Sequence, residues 1–303
     1  MIMMRMRSLT LTALAVLMVG VTAFGGRVED ALPSETLTTV TGKAASGRLT
    51  TDFTEHLDLK VVSKGGAVTR RHETVFFDSE KDALTKEFEQ SPNYVSLNGV
   101  WDFRYYGSVQ EMLAASRAAS KAAQEPSQST AAQNAPSTIN VPGNWEVQGF
   151  GTAIYVNHPY EFCPRNPQPP RLPDMIPTGV YSRTITPEFG EGEKCYLNLC
   201  GVKGGAYVFV DEQFVGYGED SKDLVRYDIT PFVRSGKEAV LRLVVTRWCT
   251  GSYLECQDFW RISGIERDVY LSREPATVPD DFDWNVVATL ADDTHMRLGP
   301  YYS

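Results

Sequence analysis

The chain has 303 residues, of which 42% are hydrophobic and 22% are charged, and this balance is typical of a globular protein of one or two domains. Its formal net charge of −9 at pH 7 argues against nucleic acid and anionic membrane surfaces as partners, because both require a basic protein surface. The sequence also lacks the GxSxG, HExxH and Walker patterns of common catalytic and nucleotide sites.

The N-terminus has the pattern of a signal peptide. Arg5 and Arg7 precede an apolar stretch from Leu9 to Val19, which is shorter than the ~20 residues needed to span a bilayer. Small residues at positions 21–23 offer a cleavage site. We therefore predict that residues 1–23 are a signal peptide and that the protein is exported to a periplasm or the cell exterior. An uncleaved membrane anchor is the alternative interpretation.

The next segments differ sharply in composition. Residues 24–70 are rich in Ser, Thr, Gly and Ala, which predicts a weakly ordered leader. Aromatic residues and alternating hydrophobicity begin near Arg71 and predict a strand from about Val95 to Tyr106. The alanine-rich stretch from Val109 to Ala123 predicts a short helix, and a low-complexity surface loop follows it.

Short strand-like segments occupy the rest of the chain. Turn signals separate them at Gly190–Gly192, Gly204-Gly205, Asp211-Glu212 and Ser235-Gly236, a spacing that favours an all-β sandwich. Neither a long amphipathic helix nor βαβ alternation is present, which argues against a doubly wound sheet or a β/α barrel.

Five segments, in order, resemble the N-terminal sugar-binding domain of family 2 β-galactosidases. They are SLNGVWDFRY (96–105), VPGNWEVQGFGTAIYVNHPYEF (141–162), PTGVYSRTI (177–185), GVKGGAYVFVDEQFVGYGEDS (201–221) and RWCTGSYLECQDFWRISGIERDV (247–269). The resemblance covers roughly Arg71 to Val287. It implies a jelly-roll β-sandwich of the galactose-binding-domain type over residues 71–275.

Residues 276–303 resemble the truncated start of an immunoglobulin-like domain, which follows the sandwich in the family. A proline-rich hinge leads into FDWNVVATLADD (282–293), which is predicted to be the first strand of that domain. We expect this strand to have no partner in the remaining residues, and the chain therefore looks cut off before the catalytic barrel of the full enzymes.

The resemblance also implies two substrate-binding residues. Asp220 lies in GYGEDSK, where the matching family aspartate contacts galactose and a sodium ion, although the sodium site here would be incomplete. Asn157 lies in IYVNHPY and matches an asparagine of the galactose subsite. The alternatives are that Asp220 caps its turn and that Asn157 holds its loop. Magnesium is implied only for the full enzyme.

Other candidate residues have mainly structural interpretations. Trp145 and Trp248 are predicted to lie in the core with satisfied indole N–H groups, whereas Trp260 and Tyr253 are candidates for stacking on a sugar or for contact with another domain. The cysteines are expected to be mostly small buried residues rather than a disulfide framework. Alternating charges are predicted to form buried ion pairs: Arg247, Glu255, Asp258, Arg261, Arg267 and Asp268.

No catalytic residue is predicted within this chain. A retaining glycosidase needs two carboxyl groups about 5 Å apart, and in the family one of them follows an Asn in an Asn-Glu pair that this sequence lacks. We therefore expect the N-terminal sugar-binding portion of a β-galactosidase, which is inactive alone and has galactose or a β-galactoside as ligand. Its predicted partners are the missing downstream domains, with homo-oligomers only in the full-length enzyme. A stand-alone carbohydrate-binding module is the alternative.

Overall fold

A computed structural model of the protein describes residues 3–6, 49–70, 73–124, 137–157, 160–163, 165–255, 258–278, 285–290 and 296–301. In these ranges, no helix is both long enough and apolar enough to cross a membrane. Residues 3–6 form a short strand, and the rest of the predicted signal peptide and the leader up to residue 48 lie outside the described residues. The signal peptide and the export of the protein stay predictions.

The described chain is built mainly from strands. The first six are β1 (Met3–Met6), β2 (Ser63–Gly65), β3 (Ala67–Arg70), β4 (Thr74–Phe77), β5 (Tyr94–Ser96) and β6 (Gly99–Tyr106). The next seven are β7 (Ser137–Val141), β8 (Gly143–Asn144), β9 (Ile154–Val156), β10 (Thr178–Ile185), β11 (Glu193–Leu199), β12 (Val202–Val210) and β13 (Gln213–Asp220). The last seven are β14 (Leu224–Asp228), β15 (Ala239–Thr246), β16 (Phe259–Arg261), β17 (Gly264–Ile265), β18 (Val269–Pro275), β19 (Asn285–Leu290) and β20 (Met296–Tyr301).

Helical structure is limited to short pieces. Two α-helices are described, α1 (Glu80–Thr85) and α2 (Val109–Gln124), and the second confirms the helix predicted from its alanine-rich sequence. The 3₁₀ turns lie at Glu55–Leu57, Phe88–Gln90, Glu146–Gln148, Thr230–Phe232 and Thr250–Tyr253.

Two antiparallel sheets pack as a β-sandwich, which confirms the predicted all-β, jelly-roll class. The larger sheet has the strand order β2-β13-β12-β15-β10-β6-β7, with β17 paired to β12 and β8 paired to β17. The smaller sheet has the order β3-β14-β11-β18-β5. Their inner faces contribute to one buried apolar cluster, in which Leu197 of β11 and Leu241 and Leu243 of β15 are completely shielded from solvent.

The predicted strand from Val95 to Tyr106 is in fact two strands in different sheets. β5 pairs with β18 in the smaller sheet, whereas β6 pairs with β10 and β7 in the larger one. The chain crosses between the sheets at Leu97 and Asn98. The Asn98 side chain accepts a hydrogen bond from the Val269 N–H at 3.0 Å and donates one to Asp268 at 2.9 Å. Hydrophobic alternation alone does not reveal such a crossing, because both strands keep the same period of two.

The predicted weakly ordered leader, residues 24–70, differs from the structure over its described part. β2 pairs with β13 at one edge of the larger sheet, and β3 pairs with β14 at one edge of the smaller sheet. Residues 63–70 therefore extend both layers of the sandwich. Their sequence is poor in aromatic residues because edge strands bury less apolar surface than central strands.

The predicted lone strand near the C-terminus has a partner. β19 and β20 pair as an antiparallel hairpin. The register pairs Asn285 with Tyr301 at one end and Leu290 with Met296 at the other. The segment RLGPYYS, which has no place in the sequence-based interpretation, supplies most of the second strand. The immunoglobulin-like assignment of residues 276–303 stays a prediction.

Four described cysteines form no disulfide, and three of them are buried: Cys195, Cys200 and Cys249. This confirms the prediction that they act mainly as small core residues. Cys163 is half-buried, and Cys256 lies outside the described residues.

The crossing at Asn98 leads to a testable prediction. Asn98→Ala should lower the free energy of unfolding by about 1–3 kcal/mol, because the buried Val269 N–H then loses its acceptor. Chemical denaturation measures this loss. The matched control is Asn140→Ala on the exposed side of β7, which should change the stability by less than about 0.5 kcal/mol. Equal losses in the two variants would contradict this role of Asn98.

Candidate sugar-binding end of the sandwich

Asn157 lies at the end of a two-stranded ribbon formed by β9 and β16. The register pairs Val156 with Phe259 and Tyr155 with Trp260. Tyr155 donates a hydrogen bond to Asp258 at 2.8 Å, and its ring lies 5.4 Å from that of Trp260. Asn157 follows directly and is exposed. Asn157 is therefore accessible to solvent, two residues along the chain from the exposed Tyr155.

Asp220 is the last residue of β13 and is half-buried. Its Oδ1 accepts hydrogen bonds from the backbone N–H groups of Lys222 and Asp223, both at 3.1 Å. The turn-capping alternative raised from the sequence is thus present in the structure. Oδ2 makes no hydrogen bond within the described part of the chain, so capping leaves one carboxylate oxygen available to a ligand.

The structure brings the segments that carry Asn157 and Asp220 to the same end of the larger sheet. Asp220 pairs with Val202 at the start of β12, and the neighbouring Lys203 donates a hydrogen bond to the Trp260 carbonyl at 2.9 Å. The ammonium groups of Lys203 and Lys222 lie 5.1 and 5.5 Å from the centre of the Phe259 ring. These contacts join the β9–β16 ribbon to the turn that follows β13.

Glu219 fixes the position of this turn from the inside. Its buried carboxylate accepts hydrogen bonds from Tyr217 at 2.8 Å, from Thr250 at 2.8 Å and from the Gly251 N–H at 2.7 Å. Burial raises the pKa of the Glu219 carboxyl above its ordinary value of 4.5, and the hydrogen bonds from its neighbours oppose this effect. Glu219 therefore joins β13 to the 3₁₀ turn at residues 250–253.

A second buried glutamate supports the strands beneath the ribbon. Glu146 accepts a hydrogen bond from the Ser263 N–H at 2.8 Å and lies 3.7 Å from an Arg247 nitrogen. Arg247 also donates to the carbonyls of Thr152 and Arg261 at 3.0 and 2.8 Å. Burial raises the pKa of Glu146 as well. One guanidinium thus connects the segment before β9 with β16.

A third buried glutamate anchors the segment that follows Asn157. Glu161 accepts a hydrogen bond from Arg261 of β16 at 2.8 Å, and both side chains are almost fully buried. The prediction of buried ion pairs is therefore right for Arg247 and Arg261. Their described acidic partners, however, lie in the segment 146–161 rather than within residues 247–269, which we call the bend.

Three further charges of the bend contact neutral groups. Glu255 accepts hydrogen bonds from the backbone and side chain of Ser221, and Asp258 accepts one from Tyr155. Arg267 donates to the Lys222 carbonyl at 2.6 Å. These contacts join the bend to the Asp220 turn and to the ribbon, so the bend is a structural support for both candidate residues.

The tryptophans divide as predicted between core and surface. Trp145 and Trp248 are buried, whereas Trp260 is about half exposed at 51%. Contrary to the sequence-based expectation, the Trp145 indole N–H makes no hydrogen bond among the described residues. Tyr253 is buried and donates a hydrogen bond to the Arg171 carbonyl, so it is not available for stacking on a sugar.

Asp220 alone offers little to a metal ion. A carboxylate oxygen is a suitable ligand for a hard cation such as sodium. In the described ranges, however, no group of three or more His, Cys, Asp or Glu side chains could hold a metal. A cation at Asp220 would therefore need ligands from backbone, water or another polypeptide.

Polar side chains and exposed aromatic rings at one end of a β-sandwich suit the hydroxyl groups and the apolar faces of a carbohydrate. The family profile described as the glycosyl hydrolases family 2 sugar binding domain matches residues 94–275, and the chain belongs to this family. The chain is 35% identical over 202 residues to β-galactosidases of Yersinia pestis bv. Antiqua (strain Angola) and Yersinia pseudotuberculosis serotype O:1b (strain IP 31758). These alignments cover 66% of this chain but only 18% and 17% of those proteins.

Solved structures show weaker similarity. An FMN-binding β-glucuronidase from Facaelibacterium prausnitzii L2-6 is 20% identical with a TM-score of 0.43, and the match covers 69% of this chain and 27% of that one. A glycosyl hydrolase family 2 member from Bacteroides cellulosilyticus DSM 14838 is 18% identical with a TM-score of 0.39, with coverages of 66% and 23%.

Glu146, Glu161 and Glu219 are not among the residues predicted from the sequence. A signal was present for Glu146, which lies beside Trp145, and for Glu161, which lies between two aromatic residues. Glu219 lies between a glycine and an aspartate, so its segment carries no such signal. A buried carboxylate is retained only where hydrogen-bond donors meet it, and those donors come from residues that are distant in sequence.

The Glu161–Arg261 pair predicts a specific loss of stability. Glu161→Gln should lower the free energy of unfolding by about 3–5 kcal/mol, because the buried Arg261 then lacks its counter-charge. Glu212→Gln breaks the exposed pair with Arg242 and should cost only about 0–1 kcal/mol. Chemical denaturation compares the two variants. Similar losses would refute a special role for the buried pair.

The raised pKa of Glu219 predicts a dependence of stability on pH. Between pH 4.5 and the raised pKa, the folded protein keeps a proton on Glu219 that the unfolded chain has lost. The protonated carboxyl therefore contributes less to the free energy of unfolding as the pH rises through this range. Glu219→Gln cannot titrate. The free energy of unfolding of the wild type should therefore exceed that of the variant most below pH 4.5, and the difference should shrink toward neutral pH.

Denaturant unfolding over a series of pH values measures this difference. The exposed substitution Glu238→Gln controls for the loss of one negative charge. An advantage of the wild type over Glu219→Gln that stays constant with pH would show that Glu219 does not titrate as its burial requires.

Proposed function

We propose that the chain is the N-terminal sugar-binding portion of a β-galactosidase. Together with the downstream domains of such an enzyme, it takes part in the hydrolysis of terminal β-D-galactosides. The observation that carries this proposal is the family membership, combined with a β-galactosidase identity of 35% over two thirds of the chain. The exposed Asn157 and the half-buried Asp220, at one end of the sandwich, support a role in holding the sugar.

In this proposal, Asn157 and Asp220 bind hydroxyl groups of the terminal galactose. The Asn157 amide offers a donor and an acceptor, and Asp220 offers its second carboxylate oxygen. Sodium is proposed to bind at Asp220, where this chain supplies one oxygen ligand and the rest of the coordination comes from elsewhere. Magnesium is proposed only for the full enzyme.

The bond-breaking carboxylates are proposed to lie outside this chain. Glu255 and Asp258 are the most obvious pair of carboxylates near aromatic rings, but both are engaged as acceptors of structural hydrogen bonds. The chain alone is therefore proposed to be inactive and to need the downstream domains as partners. Homo-oligomers are proposed only for the full-length enzyme, and the protein is proposed to be exported.

Complementation tests the proposal. The 303-residue chain should not hydrolyse a chromogenic β-galactoside, and activity should appear when a polypeptide carrying the downstream family 2 domains is added. In the complemented enzyme, Asp220→Asn should lower kcat/KM by about 10- to 100-fold, because a hydrogen bond to a charged group contributes roughly 1.5–3 kcal/mol. The amide oxygen of the variant still caps the turn, so its melting temperature should be unchanged.

The matched control is Asp223→Asn, an exposed aspartate in the same turn, which should leave kcat/KM unchanged. Equal effects of the two substitutions, or hydrolysis by the 303-residue chain alone, would reject the proposal. Binding of galactose to the isolated chain by calorimetry, lost in Asp220→Asn, without any activity on complementation, would instead support a stand-alone carbohydrate-binding module.

A further inference from the structure

A cleft of about 650 Å³ lies between helix α2 and the outer face of the larger sheet. We call it the α2 cleft. Its floor is formed by β6, β10, β12 and β15, its roof by one side of α2, and Phe53 lies at its side. This volume falls within the roughly 300–1,000 Å³ of ligand pockets.

The sequence of α2 explains why the cleft is open. Its first turns bury Val109 and Met112 against the outer face of the sheet. The same side of the helix then continues with Ala115, Ser116 and Ala119, which line the cleft but are too small to fill it. The change from large to small side chains along one helical face leaves a packed end and an open end.

The floor of the cleft has a polar row that runs across three adjacent strands and ends at a phenylalanine on the fourth. The register aligns Asp102 with Ser182, Ser182 with Arg242, and Arg242 with Phe209. Residues directly opposite each other in neighbouring strands project to the same face. In the described ranges, Asp102 and Ser182 make no side-chain hydrogen bond, whereas Arg242 is held by two contacts of 2.5 Å to Glu212.

The next row of the floor is mainly apolar. Val180 is aligned with Val244 on one side and with Arg104 on the other. Met112 and Leu113 of α2 face this part of the cleft. The cleft therefore has one end with hydrogen-bonding groups and one end with aliphatic side chains.

The charges and rings of the lining limit the ligand further. Asp102 and Glu212 balance Arg104 and Arg242, so the lining carries no net charge and favours an uncharged ligand. Phe209 stacks on Phe53, with ring centres 5.7 Å apart and planes inclined by 29°. Aromatic rings next to unpartnered hydroxyl and carboxylate groups suit a sugar ring, which presents apolar C–H faces and hydroxyl edges.

We propose that the α2 cleft binds an uncharged glycoside that carries an apolar aglycone. The sugar lies on the row of Asp102, Ser182 and Arg242, and the aglycone lies under α2 against Val180 and Val244. This site is separate from Asp220. Phe209 is seven residues along β12 from Val202, the partner of Asp220, which places the two about 20 Å apart along the strand.

Calorimetry with the 303-residue chain tests the proposal, and n-octyl β-D-glucopyranoside below its micellar concentration is the probe. We expect octyl glucoside to bind saturably to one site. Free glucose lacks the apolar chain and zwitterionic n-octylphosphocholine lacks the sugar, so each should bind at least about tenfold more weakly. Equal binding of the octylphosphocholine, or no saturable binding of the octyl glucoside, would overturn the proposal.

Variants locate the site. Ala115→Leu fills the cleft from the helix and should weaken octyl glucoside binding by at least about tenfold, because the added carbons occupy the aglycone space. Ala114→Leu is the matched control, since Ala114 is exposed on α2 and does not line the cleft. Both variants should melt like the wild type. Equal affinities in the two variants would place binding elsewhere and overturn the proposal.

Two further substitutions separate this site from the proposed galactose site. Asp102→Ala should weaken binding of octyl glucoside by about tenfold, because the sugar loses a hydrogen bond to a charged group. Asp220→Asn should leave it unchanged. Binding that is lost in Asp220→Asn but kept in Asp102→Ala would overturn the assignment to the α2 cleft without affecting the proposed function.

Discussion

The apolar layer between the two sheets is the constraint on which the other features depend. Leu197, Leu241 and Leu243 are completely shielded from solvent, and they come from strands of opposite sheets. Burying this layer forces the inner positions of each strand to be apolar and leaves the connections at the ends and edges. The turn after β13 and the β9–β16 ribbon are such connections, and their positions follow from the strands that hold them.

Burial of apolar surface does not by itself fix these connections, because it is non-directional. Directional contacts do so at three points, where Glu146, Glu161 and Glu219 each meet donors from a segment distant in sequence. The burial that raises the pKa of Glu146 and Glu219 also makes their hydrogen bonds necessary. Carboxylates thus serve here as structural acceptors. This structural role accounts for three of the acidic residues near this end of the sandwich.

The outer face of the larger sheet carries a second layer of packing. Residues 49–61 and the start of α2 cover Tyr207, Tyr217 and Val244. The small residues later in α2 leave the remaining part of this face open. The inner face of the larger sheet therefore lies in a closed core, whereas its outer face is only partly covered and is amphipathic.

The sequence by itself determined the sandwich class, the helix α2 and the burial of Trp145 and Trp248, because hydrophobic period and composition are local signals. Its resemblance to the family motifs also proposed Asn157 and Asp220 as candidate sugar-binding residues, although not their surroundings. Only the tertiary structure decided that the chain changes sheets at Asn98, that residues 63–70 form edge strands and that β19 has a partner. These features depend on contacts between residues far apart in the chain, and no local pattern records which distant backbone or carboxylate a residue will meet.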